Sequence, residues 1–277
     1  MVSLERGTDE AAVVFDNVGM SYAATKEYVH ALSDITLRVQ RGHFVSILGP
    51  SGCGKSTLLM IAAGLRACTS GEVRVNGVRV AAARPEAGIV FQNDALLDWR
   101  SALDNVLLQV ELSGLRKRDY RDRAMQLLES VGLKGFENRR PYELSGGMRQ
   151  RVALCRALVH DPPVLFMDEP FGALDALTRD QMMLDLQSLW LERQKTVIFV
   201  THSIAEAIFL SDEVVVMSPR PGSVDAVIDV DLRRPRTLDM TTEPEFNAYM
   251  HRIRQLFERR GVIHAESSPN DPGKVVH

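Results

Sequence analysis

Cysteine is scarce: Cys53, Cys68 and Cys155 are the only three in 277 residues, an odd number with no CxxC pair. That excludes a disulfide framework or a cysteine zinc site and reads as reduced thiols in a cytosolic protein. Long apolar runs are missing too. No segment approaches the ~18 residues a membrane helix needs, so any membrane role must come through a partner. The opening stretch, "MVSLERGTDEAAVVF", carries acids early and has no apolar core of signal-peptide length. A soluble chain is expected. Excess positive charge is absent as well: 33 Lys and Arg against 36 Asp and Glu give −3, with no basic field to draw nucleic acid. There are no internal repeats. What remains is 45% hydrophobic and 25% charged, an ordinary globular composition. The length suits one large α/β domain or a core with a smaller lobe.

Strand and helix texture alternate along the chain. "AAVVF", "ITLRV" (35–39) and "FVSIL" (44–48) read as strands, the last ending at a glycine. "KSTLLMIAAGL" (55–65) has helical spacing and stops at Gly64. "GEVRVNGVRV" (71–80) is a hairpin turning at Asn76-Gly77, and "AGIVF" (87–91) is a further strand. From 101 to about 160 the pattern is helical, with stripes at Leu103, Val106, Leu107, Val110 and at Ala124, Leu127, Leu128, Val131. Strands return at "PVLFMD" (163–168), "TVIFVT" (196–201), "EVVVMS" (213–218) and "AVIDV" (226–230), with a long helix around Leu184 to Leu191. This organisation is an α/β domain over 12–242 with a helical lobe at 101–160. Residues 243–277 read as a charged helix and then a Pro/Ser/Asn-rich, disordered tail from 267.

"GPSGCGKS", Gly49 to Ser56, matches G-x-x-x-x-G-K-[ST] between a strand and a helix, the context such a phosphate loop requires. Gly49, Pro50, Ser51, Gly52, Cys53 and Gly54 form the loop. Gly52 and Gly54 free backbone N–H groups to turn inward on phosphate oxygens. Lys55 reaches the β- and γ-phosphates of a nucleotide such as ATP, the Ser56 hydroxyl is a Mg²⁺ ligand, and Thr57 adds a hydroxyl near the α-phosphate. Cys53 reads as a passive small side chain whose alkylation should block the site. "VLFMDEP" delivers Asp168 and Glu169 at the C-terminal end of a strand, the ligand end of a parallel sheet. Asp168 suits Mg²⁺, and Glu169 can orient and deprotonate water. Gln92 and His202 end two other strands. Gln92 is placed to join Ser56 and Asp168 at the metal or to sense the lytic water, and His202 to bond the γ-phosphate. Singly, each could equally be a surface or capping residue; their convergence favours a site. Tyr22 lies in a turn-like stretch, "MSYAATKEYVHAL", where stacking on adenine competes with ordinary packing and with Tyr28 nearby.

A second glycine-rich helix start, "LSGGMRQR", follows at Leu144 to Arg151. With the phosphate loop, "MDEP", "GALD" and "VTH" in this order and spacing, residues 12–230 resemble the ATP-binding subunit of ABC transporters. The resemblance implies a P-loop NTPase core with a mixed sheet, an antiparallel β subdomain and an inserted helical subdomain. It implies a homodimer packed head to tail, with Ser145, Gly146 and Gly147 facing the γ-phosphate of ATP held by the other subunit. By it, Tyr22 stacks on adenine and Gln92 couples the site to the membrane subunit. Glu169 is the catalytic base, Asp175 belongs to the loop meeting the partner, and His202 is the switch histidine. The implied partners are two permease subunits and an extracytoplasmic binding protein, placing the chain on the cytoplasmic face of a membrane.

"GIVFQNDALLDWRSALDNV", "DEPFGALDALTRDQM" and "THSIAEAIFLSDEVVVMSPRPG" look like importers for nitrate, alkanesulfonates and taurine. Importers of a thiamine-pyrimidine precursor share much of this texture and remain the alternative. Asp98 departs from a usual proline and Cys155 from a usual alanine. Trp99 reads either as a docking anchor or as lobe core. A non-transport ABC ATPase acting on DNA or ribosomes is disfavoured: only residues 58–143 part the two glycine motifs, and there is a single ATPase domain. A non-hydrolysing regulator is disfavoured by intact Glu169 and His202.

Overall fold

The computed structural model describes residues 11–23, 28–83 and 87–262. The first ten residues and the tail expected to be disordered lie outside them. The chain opens with strands β1 (Ala11–Ala23), β2 (Tyr28–Gln40) and β3 (Phe44–Leu48), then helix α1 (Lys55–Ala62). Strands β4 (Ser70–Val75), β5 (Val78–Arg79) and β6 (Gly88–Val90) follow. The helical stretch holds α2 (Ala102–Val106), α3 (Leu108–Leu112), α4 (Lys117–Ser130) and α5 (Gly146–Leu158). Alternation resumes with β7 (Val164–Asp168), α6 (Ala176–Arg193), β8 (Thr196–Thr201), α7 (Ile204–Leu210) and β9 (Glu213–Met217). Strand β10 (Val224–Asp229) and helix α8 (Pro244–Arg259) close it.

The main sheet has the order β10-β9-β3-β8-β7-β6, parallel from β9 to β6 with β10 antiparallel at the edge. Chain order jumps on both sides of β3, which makes the crevice at its C-terminal end the natural ligand position. Side chains alternate across a strand, so the sheet's two faces feed two cores. Val45, Ile47, Ile198 and Val200 pack with Leu58 and Leu59 of α1 and Val13 and Phe15 of β1. Phe44, Leu48, Val197 and Phe199 pack with Met182 and Trp190 of α6 and Ile208 of α7. The smaller sheet, β2-β1-β4-β5, is antiparallel and covers the first core.

Tyr22 is in a strand, not a turn: it pairs with Val29 across the β1–β2 ladder. Polar "ATKE" breaks the apolar alternation there, yet the ladder runs up to both sides of it. The helical lobe has its own core, Leu103, Val106, Leu107, Val110, Ala124, Leu128, Val131, Val152 and Cys155. Asn105, fully buried, donates to the carbonyls of Leu97, Arg100 and Ser101 and fixes the loop before α2. Trp99 on that loop is 71% exposed, so it is not lobe core.

Helix α8 is charged on one side only. Phe246, Ile253 and Phe257 are buried in the second core, each contributing about 2 kcal/mol of burial. Arg236, also buried, donates to the carbonyls of Ile208, Phe209 and Ser211 at the end of α7 and to those of Val230 and Leu232. Five carbonyls there replace the water a guanidinium would otherwise need.

Candidate active site

The phosphate loop joins β3 to α1. Gly52 and Gly54 have φ of 75° and 103°, a left-handed backbone that favours glycine. Gly54 caps α1 without any side-chain bond, which leaves the helix's first N–H groups for an outside acceptor. Gly49 is buried against Met217 and the Cys53 sulfur. Pro50 is half-buried, and Ser51 is exposed at the loop tip. Cys53 is buried, and burial pushes its thiol up from the usual range. The thiolate is the reactive form, so burial also disfavours the alkylation that would block the site. Lys55 is 5% exposed, and its Nζ donates to the carbonyls of Gly49 at 2.9 Å and Pro50 at 3.1 Å. Among the described residues it forms no ion pair with a carboxylate. A buried ammonium held only by carbonyls suits an arriving anion.

Ser56 Oγ donates to Asp168 Oδ1 at 2.8 Å, so two oxygen ligands meet beside the loop. Burial pushes the Asp168 carboxyl up, opposed by that hydroxyl. Tyr22 Oη lies 3.1 Å from Thr57 Oγ1, and the Arg66 guanidinium sits 5.1 Å from the centre of the Tyr22 ring. This aromatic adjoins the phosphate loop, whereas Tyr28 is 72% exposed.

Strand β8 lies next to β3 in the sheet, with β7 and then β6 beyond it, and these strands deliver the remaining groups. Glu169 follows β7 directly, and its N–H donates to the Val200 carbonyl at 2.9 Å. Its φ is 45°, a left-handed conformation unfavourable for glutamate and the kind of local strain kept at functional positions. His202 follows β8, with Nδ1 3.1 Å from Glu169 Oε2. Gln92, past β6, places Nε2 at 3.5 Å from the same oxygen. Lys55, Ser56, Asp168, Glu169, His202 and Gln92 thus gather at the ends of β3, β8, β7 and β6. Gln92 contacts Glu169 rather than the Ser56–Asp168 pair. No group of three or more His, Cys, Asp or Glu among the described residues could hold a metal by itself.

Ser145, Gly146 and Gly147 are not brought into this group. Ser145 caps α5, its side chain accepting from the Met148 N–H at 3.3 Å. Gly147 packs on Thr178 so closely that a Cβ would meet Thr178 Cγ2 at 2.5 Å. Asp175 caps α6 through the Thr178 N–H at 3.0 Å and Thr178 Oγ1 at 2.7 Å. Contacts the sequence reading missed tie α5 to the segment after Gln92. Arg149 Nε donates to Asp94 Oδ2 at 2.9 Å, and Arg156 donates to the carbonyls of Asp94 and Ala95 at 2.7 Å each. Their partners are 55 and more residues away, and no local pattern signals them.

A glycine cradle at a helix start, with oxygen ligands, a carboxylate and an imidazole on neighbouring strand ends, defines a P-loop nucleotide-binding domain. The family model described as ABC transporter matches residues 32–172. A taurine import ATP-binding protein of Rhizobium johnstonii is 48% identical over 226 residues, 82% of this chain and 84% of that protein. An aliphatic sulfonates import ATP-binding protein of Bacillus cereus is 41% identical over 251 residues, 91% of this chain and 98% of that one. A bacterial ABC transporter cassette solved as a dimer is 34% identical, with a TM-score of 0.71 over 80% of this chain and 100% of that one. The same cassette bound to ADP and Pi gives 33% and 0.70, with the same coverage. The chain belongs to the ABC transporter family, and its fold is that of the family's ATPase cassettes. No helix among the described residues is long and apolar enough to cross a membrane.

Proposed function

We propose that the chain binds ATP with Mg²⁺, hydrolyses it as one half of a head-to-tail homodimer, and so drives import of a small sulfonate- or taurine-type anion. The transported anion passes through two separate membrane subunits, fed by an extracytoplasmic binding protein, with this chain on the cytoplasmic face. Residues 12–242 are the nucleotide-binding domain, with 101–160 as its helical lobe. The observation that carries this reading is the gathering of Lys55, the Ser56–Asp168 pair and the Glu169–His202 pair on adjacent strand ends. The substrate class is supported by the taurine and sulfonate importers among the relatives.

The residues present fit both bound groups. The first N–H groups of α1 and the Lys55 ammonium suit phosphate oxygens. A hard cation takes oxygen ligands, and Ser56 and Asp168 would supply two. When bound, Mg²⁺ neutralises charge on the phosphates. With Nδ1 protonated, His202 donates to Glu169 Oε2 and orients that carboxylate, leaving Oε1 to take the proton of the attacking water. Tyr22 offers its ring to adenine, Ser145 offers its hydroxyl, and Gly146 and Gly147 offer backbone donors to the partner's nucleotide.

Coupling to the membrane subunits is assigned to the segment after Gln92. A groove of about 440 Å³ opens beside it, lined by Ile89, Phe91, Leu108 and Leu112. Leu112 is 73% exposed there. Arg149 and Arg156 clasp this segment to α5, so a push on the groove reaches the helix that begins at Ser145. The test is ATP turnover by the chain reconstituted in vesicles with its membrane subunits and binding protein. Taurine or an alkanesulfonate should raise turnover and accumulate inside. Stimulation by a pyrimidine precursor instead would replace the substrate class. No turnover under any condition would defeat the ATPase reading.

A further inference from the structure

Glu206 lies in the first turn of α7, 5% exposed, and the reaction described above gives it no task. A buried carboxylate loses its water and is costly unless its oxygens are engaged. Burial pushes it up from the ordinary glutamate range, against the pull of its partners. Both oxygens have partners. Thr201 Oγ1 donates to Oε2 at 2.6 Å, and Arg179 Nε faces Oε1 at 3.4 Å.

Each partner belongs to a different part of the site. Thr201 ends β8, and its Oγ1 also accepts from the Ser203 N–H at 3.0 Å, so this hydroxyl brackets His202. Ser203 Oγ in turn accepts from the Glu206 N–H at 3.3 Å. Arg179, in the first turn of α6, donates from Nη2 to the Leu174 carbonyl at 2.9 Å, next to the cap Asp175. The turn that carries His202 and the loop that carries Leu174 and Asp175 are therefore fastened to one buried carboxylate. That loop reaches Gly147 through Thr178.

We propose that Glu206 and Arg179 are positioning residues for hydrolysis: they hold the His202 turn, and through it the Glu169 carboxylate, in register with the 174–179 segment. The proposal rests on the reading of Glu169 and His202 as the hydrolytic groups. His202 reaches Glu169 through a single contact at 3.1 Å, so a small rotation of its turn is enough to break it. Packed contacts run from Gly147 through Thr178, Asp175, Arg179 and Glu206 to the turn that carries His202.

The test uses the full-length chain and four variants: Glu206→Leu, Glu206→Gln, Arg179→Leu and Arg179→Lys. ATP turnover, fluorescent-nucleotide binding and thermal melting are measured for each. Glu206→Leu and Arg179→Leu should lower kcat by about tenfold or more, while KM and nucleotide affinity stay within about twofold. Glu206→Gln keeps an acceptor for Thr201 and should lie between wild type and Glu206→Leu. Arg179→Lys should recover most of the rate. In a His202→Ala background, Glu206→Leu should lower kcat no further, because its effect passes through the histidine. Multiplying effects in that background would overturn the proposal, as would losses that follow nucleotide affinity or melting temperature. If Glu206→Leu fails to fold, the half-exposed Arg179 still carries the test through its Leu and Lys variants. A wild-type chain without turnover, alone or reconstituted with its membrane subunits, defeats the hydrolytic reading itself. Normal turnover in wild type and in Arg179→Leu defeats only this inference.

Discussion

Two glycine-flanked helix starts in this molecule treat their backbone donors in opposite ways. Helix α1 begins at Gly54, which bonds none of the first-turn N–H groups with a side chain. Helix α5 begins at Ser145, whose hydroxyl accepts from the Met148 N–H. Around the first, Lys55 is buried and Ser56 is tied to Asp168. Around the second, Ser145 and Gly146 are exposed, and Gly147 is wedged on Thr178. Among the described residues, no hydrogen bond joins 145–147 to 49–57. The α1 start is an enclosed grip completed by its own strand ends. The α5 start is presented outward, so within one chain it has nothing to grip. The proposed head-to-tail dimer would bring the nucleotide of a second copy to it, which mixed variants can test.

The largest effect is expected from disabling one grip in each of two chains. Glu169→Gln should lower turnover by at least about a hundredfold, the usual scale for losing a general base, and an ATP-bound dimer should accumulate. Ser145→Arg places a long cationic side chain where the outward start must meet an anion, and it should abolish turnover as well. Mixed together, the two inactive chains should regain activity. One pocket of the hybrid then pairs the intact Glu169 of the Ser145→Arg chain with the intact Ser145 of the Glu169→Gln chain. Failure to regain any activity would sink the shared pocket. So would wild-type turnover per chain that persists undiminished on dilution to monomers.

A smaller effect tests how the outward start is held. Ala in place of Gly147 fits the backbone but drives Cβ to 2.5 Å from Thr178 Cγ2. Thr178 cannot simply rotate away, because Oγ1 is bonded to Asp175 at 2.7 Å. Overpacking of this sort costs about 1–3 kcal/mol, and a roughly tenfold loss of turnover is expected. Thr178→Ser removes the obstructing methyl, keeps the hydroxyl and should restore most of the rate in the double variant. Gly147→Ala with unchanged turnover would show that the wedge does not set the position of α5.

Much of the enclosed grip was legible in the sequence, because each part is local. A glycine loop between a strand and a helix, and polar residues ending apolar strands, announce themselves within ten residues. The sheet order then brings those ends together. What stayed hidden is what depends on distant partners. Gly147 against Thr178, Arg149 with Asp94 and Arg179 with Glu206 are pairs from separate elements, and nothing near either member marks them. Arg236 is a sharper case: "LRRPRT" looks like solvated loop, yet this guanidinium is buried on five carbonyls. Tyr22 was legible as an aromatic near the site but not as a strand residue, since the polar stretch after it hides the ladder. Trp99 needed the structure for its exposure, because a Trp beside a helical stripe fits core and surface equally well.

The smallest effect separates the two tasks of Ser145 itself. As a cap it serves α5, and replacing a serine cap by alanine costs about 1 kcal/mol, whereas glycine costs only a few tenths. For a chain of this size, 1 kcal/mol is a shift of about 2 °C in melting temperature. Ser145→Ala should therefore melt lower than Ser145→Gly, which should stay close to wild type. Turnover should divide them differently. Both variants lack the hydroxyl that the outward start offers to an anion, so both should lose activity to a similar extent. If turnover instead tracks melting temperature, with glycine retaining what alanine loses, then Ser145 acts only as a helix cap. The anion contact would then fall to the backbone donors of Gly146 and Gly147 alone, making the α5 start as dependent on bare N–H groups as the α1 start.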